Sequence, residues 1–219
     1  MSEILDVKSI VKLAKKHGKD PFCVRDEALL ALSGLAYFNA TELSLVRVRD
    51  LVSERGGIVF DGYLPEEFSA NKFARYFFIG TETYLSKCIE NYIEWRISKG
   101  FDCLDRDLYL GLDPNSYLFV KNDGSYFDLN YKNRYEGDTL TQPLQLQRHF
   151  KNFILGEGVS LTSLMDSFIA NFWEVKSLQG TTQAIRDLMD MTGLTAETLR
   201  KKCIRQQESI QEILGNLYR

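Results

Sequence analysis

Residues 25–51 read RDEALLALSGLAYFNATELSLVRVRDL, and the way this stretch divides decides the fold. Leu29, Leu30, Leu32, Leu35 and Ala36 make its first half apolar on most sides, which predicts a central helix from about Arg25 to Phe38. The helix stops at the polar Asn39 and restarts with Thr41 and Glu42 in capping positions, giving a short third helix.

Working outward, residues 5–17 put Leu5, Ile10, Val11, Leu13 and Ala14 on one face, opposite a stripe of Lys8, Lys12, Lys15, Lys16 and Lys19. This is an amphipathic helix with Gly18 as its C-cap, and its lysines read as the wet side. From Gly57 to Ile79, GGIVFDGY and KFARYFFI are β-branched and aromatic runs separated by the polar LPEEFSAN, which predicts a small antiparallel sheet. Helical spacing returns over Thr83 to Ser98 and ends before Gly100. The run NSYLFVKNDGSYF then turns at Asn122-Asp123-Gly124. Tyr126 to Pro143 is polar and aromatic without a clear period, so a long loop is expected there. Helices follow at about Leu144–Gly156, Ser163–Leu178, Thr182–Thr192 and Ala196–Leu217. The class is mainly α with a small antiparallel β-sheet (α+β), in one domain over residues 1–219.

The chain has 219 residues, 44% of them hydrophobic and only four of them proline, enough for a sizeable core. No apolar run reaches the roughly 20 residues of a membrane span, and the N-terminus has no signal-like apolar region. A cytoplasmic protein without membrane association is expected. Cys23, Cys88, Cys103 and Cys203 lack CxxC spacing, and His17 and His149 are the only histidines. Neither a metal site nor a disulfide framework is expected, and no cofactor. A net charge of −3 provides no overall basic field, so nucleic-acid binding has to rest on local patches.

The stretch from Arg25 to Leu51 resembles the opening of the catalytic domain of tyrosine recombinases, the phage-integrase family, whose text runs approximately R-D-x-A-L-L-x-L-L-x-x-T-G-L-R-x-S-E-L. The resemblance continues through the hairpin at Gly57 to Ile79, the helix ending in W-R, the segment SYLFVKNDG, and LQLQRHFKNFILGEGVSLTSLMDSFIANF. It covers roughly residues 5 to 205. It implies a DNA breaking-rejoining catalytic-domain-like fold, and association with a mobile element in a bacterial host. With 24 residues before Arg25 there is room for one helix, so the family's N-terminal core-binding domain is expected to be missing.

In that register Asn39 stands where the family has its first catalytic arginine, Thr162 where it has its histidine and Met165 where it has its second arginine. Leu194 replaces the histidine or tryptophan of L-G-H, and Cys203 occupies the place of the nucleophilic tyrosine. Lys72 is a candidate for the family's hairpin lysine, whose register the hairpin length leaves open. Attack on a phosphodiester builds charge on non-bridging oxygens that paired guanidinium groups normally meet, and neither Asn39 nor Met165 carries charge. The expectation is a catalytically silent accessory protein, bound to DNA or to a recombinase.

DNA-contact candidates are Lys72, Arg75, Arg200, Lys201, Lys202 and Arg205. Ile210, Ile213, Leu214 and Leu217, on an amphipathic C-terminal helix within 196–219, are candidates for docking on a partner, which is a recombinase or a second copy of the chain. Two alternatives stay open: an active recombinase whose catalytic arginines come from Arg75, Arg96, Arg134 or Arg148, and a module that binds only protein. Cys203 reads as a structural thiol, Tyr218 as a surface or packing aromatic, and His149 as a hydrogen-bonded boundary residue. The aromatics of KFARYFF read as core on one strand face.

Overall fold

The computed structural model describes residues 4–17, 24–68, 74–135, 138–155 and 159–203. Its elements run α1 (Val7–His17), α2 (Val24–Ala36), α3 (Ala40–Leu45), α4 (Val48–Leu51), β1 (Asp61–Leu64), β2 (Arg75–Phe78), α5 (Tyr84–Ser98), β3 (Asn130–Tyr135), β4 (Asp138–Gln142), α6 (Leu144–His149), α7 (Leu161–Lys176) and α8 (Thr181–Thr192). Residues 196–203 begin a further helix.

The central element is α2, buried along nearly its whole length because it is apolar all round. It packs against α1, α5 and α7. The approach of α1 is close: a Cβ on Gly34 would lie 2.8 Å from Ile10 Cγ2, so the small residue sets how near the two helices come. The principal core gathers Ile10, Leu29, Leu32, Phe38, Leu43, Phe77, Ile89, Tyr92 and Phe119 around α2. A second apolar cluster forms where α7, α8 and the start of the last helix meet Tyr37.

Local chemistry accounts for the helix ends. Thr83 caps α5 by accepting Ser86 N–H at 3.1 Å, and Gly100, at φ +70°, follows its end. Ser160 and Ser163 form a reciprocal cap on α7, with Ser163 N–H donating to Ser160 Oγ at 3.0 Å and Ser160 N–H to Ser163 Oγ at 2.7 Å. Gly193 ends α8 in the left-handed conformation at φ +67°.

The hairpin β1–β2 is antiparallel, in the register Asp61 to Phe78 through Leu64 to Arg75, and β2 packs on α8. Arg75 and Phe77 are buried and Phe78 is 52% exposed, so the aromatics of this strand divide between its faces instead of sharing one. Where a long loop was expected, β3 and β4 pair antiparallel from Asn130–Gln142 to Tyr135–Asp138. Tyrosine and threonine favour strands, yet the segment lacks the apolar alternation by which a half-buried strand is recognised. The helix expected over 144–156 is α6 followed by one wide π turn over Phe150–Ile154, closed by Leu155 N–H donating to Phe150 O at 2.8 Å. Among the described residues no helix is long and apolar enough to cross a membrane.

Candidate functional site

The joint at Asn39 is built by two strained or charged neighbours. α2 stops at Ala36 because Tyr37 takes φ +61°, a left-handed conformation unfavourable for a bulky side chain. Asn39, not Thr41, is the cap of α3: its Oδ1 accepts Thr41 N–H at 2.9 Å and Glu42 N–H at 3.0 Å. Glu42 returns the bond by accepting Asn39 N–H at 2.9 Å. The same carboxylate holds Arg75 in a two-pronged pair, Nε to Oε1 at 2.6 Å and Nη2 to Oε2 at 2.7 Å, with both side chains 1% exposed. Arg75 also donates to Tyr37 O at 3.0 Å and Met191 O at 2.8 Å, tying the α2 end and α8 to β2.

Met165, Leu194 and Cys203 lie in the second apolar cluster with Tyr37, Phe168, Ile185, Leu188 and Leu199. Thr162 is exposed in the first turn of α7. Burial pushes the Cys203 thiol up to about 11, so it stays protonated at neutral pH despite the nearby Lys201 and Lys202.

The basic candidates fare unequally. Arg75 is withdrawn as a DNA contact, because its guanidinium is buried and fully engaged by Glu42 and two carbonyls. Arg96 is buried as well, donating to Tyr117 O, Leu118 O, Ser116 Oγ and Asp102 Oδ2, which anchors the 101–118 segment to α5. Arg200 is exposed, Lys201 pairs with Glu197 at 2.6 Å on the surface, and Lys202 pairs with Asp166. Lys8, Lys12, Lys15 and Lys16 are exposed along α1. Lys72, Arg205, Ile210, Ile213, Leu214, Leu217 and Tyr218 lie outside the described residues, as does the side chain of Arg134.

One charged cluster is not apparent from the sequence. His149 Nε2 sits 2.7 Å from Asp26 Oδ1 and 3.1 Å from Arg25 Nη2, while Arg25 donates to Asp26 Oδ1 at 2.9 Å and Asn122 Oδ1 at 2.8 Å. Burial raises the Asp26 carboxyl, but the His149 hydrogen bond and the Arg25 charge outweigh it and hold the group below the usual carboxylate range. The cluster borders a cavity of about 720 Å³ lined also by Lys121, Phe127, Arg148 and Phe153. A signal for it existed: a charged pair opening a helix that is buried all round must find partners. Among the described residues, no group of three or more His, Cys, Asp or Glu is placed to hold a metal ion.

The arrangement of central helix, hairpin, capped joint and terminal helices is the fold of a tyrosine-recombinase catalytic domain. The crystal structure of XerA recombinase superposes with a TM-score of 0.61 at 16% identity, over 99% of this chain and 65% of that one. No family model and no curated protein sequence matches the chain. At this identity the likeness concerns the fold.

Proposed function

We propose that the chain is a catalytically silent relative of the tyrosine recombinases that acts as a non-covalent accessory, associated with DNA or with an active recombinase. The observation that carries this reading is the second apolar cluster. Three positions that the family resemblance assigns to catalysis belong to it: Cys203 is buried in the cluster with Tyr37, and Met165 and Leu194 pack against it. An apolar cluster supplies no donors to a phosphorane-like transition state, and loss of one such donor alone typically costs about 100- to 1000-fold in rate. Tyr37, at φ +61°, stands where the family text has glycine, which supports the register that puts Asn39 at the arginine position. Asn39 is committed to capping α3, and the buried Cys203 thiol is a poor nucleophile.

The active-enzyme alternative needs two guanidinium groups beside a tyrosine or cysteine. Arg25 and Arg148 do border one cavity, but among the described residues no tyrosine or cysteine lines it. For non-covalent DNA contact, the exposed lysines of α1 and Arg200 offer charge, whereas Lys201 and Lys202 are partly neutralised by their carboxylate partners.

The test has two arms. Relaxation of supercoiled plasmid reports strand breakage and rejoining at any sequence, and none is expected. Relaxation that disappears when a single tyrosine or Cys203 is replaced would overturn the silent reading. Anisotropy with mixed-sequence duplex DNA between about 50 and 200 mM salt then separates direct DNA association, with its steep salt dependence, from association through a recombinase alone.

A further inference from the structure

The cavity beside α6 combines three features that the silent recombinase fold does not require. First, Phe127, His149 and Phe153 form a row of rings, with centroids 5.5 Å apart in the first pair and 5.3 Å in the second. Phe153, at the outer end of this row, is 67% exposed. Second, the lining carries three permanent cations, Arg25, Lys121 and Arg148, against two carboxylates, Asp26 and Asp123. Both carboxylates are engaged, Asp26 by Arg25 and His149, and Asp123 by the Ser125 N–H and hydroxyl. Third, Gln145 is a lining residue whose amide nitrogen donates to Asp128 and whose Oε1 is a buried acceptor with no hydrogen-bond partner.

These features match one ligand chemistry. A planar heteroaromatic ring gains stacking energy on an exposed aromatic edge, and arginine and lysine around it meet an attached anion. An orphan acceptor suits an exocyclic amine or ring N–H. The volume of about 720 Å³ falls in the range of small-molecule pockets. The π turn that carries Phe153 outward while burying Phe150 and Ile154 is a local irregularity of the kind that often marks functional sites.

We propose that this cavity binds an unpaired nucleotide, with the base against Phe153 and His149 and the phosphate toward Lys121 and Arg148. The Arg25–Asp26 pair is a positioning element: it holds the His149 ring through Nε2, and the Arg25 guanidinium lies 5.6 Å from the Phe127 ring centre. The unpaired nucleotide is either free or part of a single strand, and the recognition chemistry is shared between these sources.

Binding is measured with a fluorescein-labelled dT12 oligonucleotide by anisotropy, and with AMP and dTMP by competition and by calorimetry. Phe153→Ala, Phe153→Trp and Arg148→Ala change side chains on the cavity lining, and circular dichroism confirms that each variant is folded. Saturable binding is expected, weakened about tenfold by Phe153→Ala, restored by Phe153→Trp, and made less salt-dependent by Arg148→Ala. Binding of the oligonucleotide alone assigns the source to a strand, and binding of the mononucleotides assigns it to free nucleotide. No saturation by oligonucleotide or mononucleotide up to about 1 mM overturns the proposal. Binding that is indifferent to both Phe153→Ala and Arg148→Ala overturns it too. The outcome is separate from that of plasmid relaxation: an active strand-transfer enzyme would end the silent reading and leave this cavity's binding data unchanged.

Discussion

Asn39 shows how a single side chain can be committed to local structure, as the cap that starts α3. Its side chain satisfies two N–H groups at the start of α3, a role that asparagine and aspartate fill and that arginine cannot. Asn39→Ala should therefore lower stability by about 1 kcal/mol and Asn39→Asp by much less. Asn39→Arg should lose about as much as the alanine variant and, on the silent reading proposed above, gain no plasmid-relaxing activity. Denaturant unfolding of the three variants checks the order. Glu42 carries a heavier obligation, as cap partner and as counter-ion to Arg75. Glu42→Gln leaves a buried guanidinium without its charge, with an expected cost of about 3–5 kcal/mol. The double replacement Glu42→Gln with Arg75→Met should cost less than the sum of the two single changes, because it removes both charges. A strictly additive cycle would mean that the pair is not coupled.

At the scale of elements, most of what was legible came from apolar period. α1, α2, α5, α7 and α8 each bury a face that the sequence displays as spacing, and α5 and α7 start at the capping residues Thr83 and Ser160 while α8 ends at Gly193. β3 and β4 were illegible because polar and aromatic residues alternate there without an apolar face. That Arg25 and Asp26 need partners was legible, but that His149 is the partner was not: residues separated by more than 120 positions meet only through the tertiary packing of α6 against the start of α2. The wide turn after α6 was hidden because its Phe150 and Ile154 keep ordinary helical spacing in sequence. The end of α2 joins both kinds of information. Tyr37 accepts left-handed strain, about 1–2 kcal/mol, because its ring packs 5.7 Å from that of Phe168 and its carbonyl accepts from Arg75. Tyr37→Gly relieves the strain but removes a buried aromatic side chain, a loss of about 3–5 kcal/mol. A net destabilisation of about 1–4 kcal/mol is expected, read by thermal or denaturant unfolding. A more stable glycine variant would mean that the ring contributes little to the second cluster.

Across the whole molecule, buried titratable residues give stability a defined pH window. On the alkaline side, burial pushes the Cys88 thiol and the Tyr92 hydroxyl each up to about 12. Groups raised in the folded state stabilise it fully below their unfolded values, about 8.5 for cysteine and about 10 for tyrosine, and lose that contribution as pH rises through the folded values. Stability should decline above about pH 8.5, and Cys88→Ala should start from a lower plateau with a shallower slope. On the acid side, Asp26 is held below its ordinary range, so its contribution is complete above the unfolded value of about 3.9 and is lost as pH falls through the lower folded one. Asp26→Asn should flatten that acid limb while leaving the alkaline one unchanged, because Asp26 lies at the α2–α6 contact and Cys88 and Tyr92 lie on α5. Urea unfolding between about pH 2 and pH 11 checks both limbs on one protein. An acid limb that stays as steep in Asp26→Asn as in the parent would place the responsible carboxylate elsewhere and remove the Arg25–Asp26–His149 cluster from the forces that lock α6 onto the core.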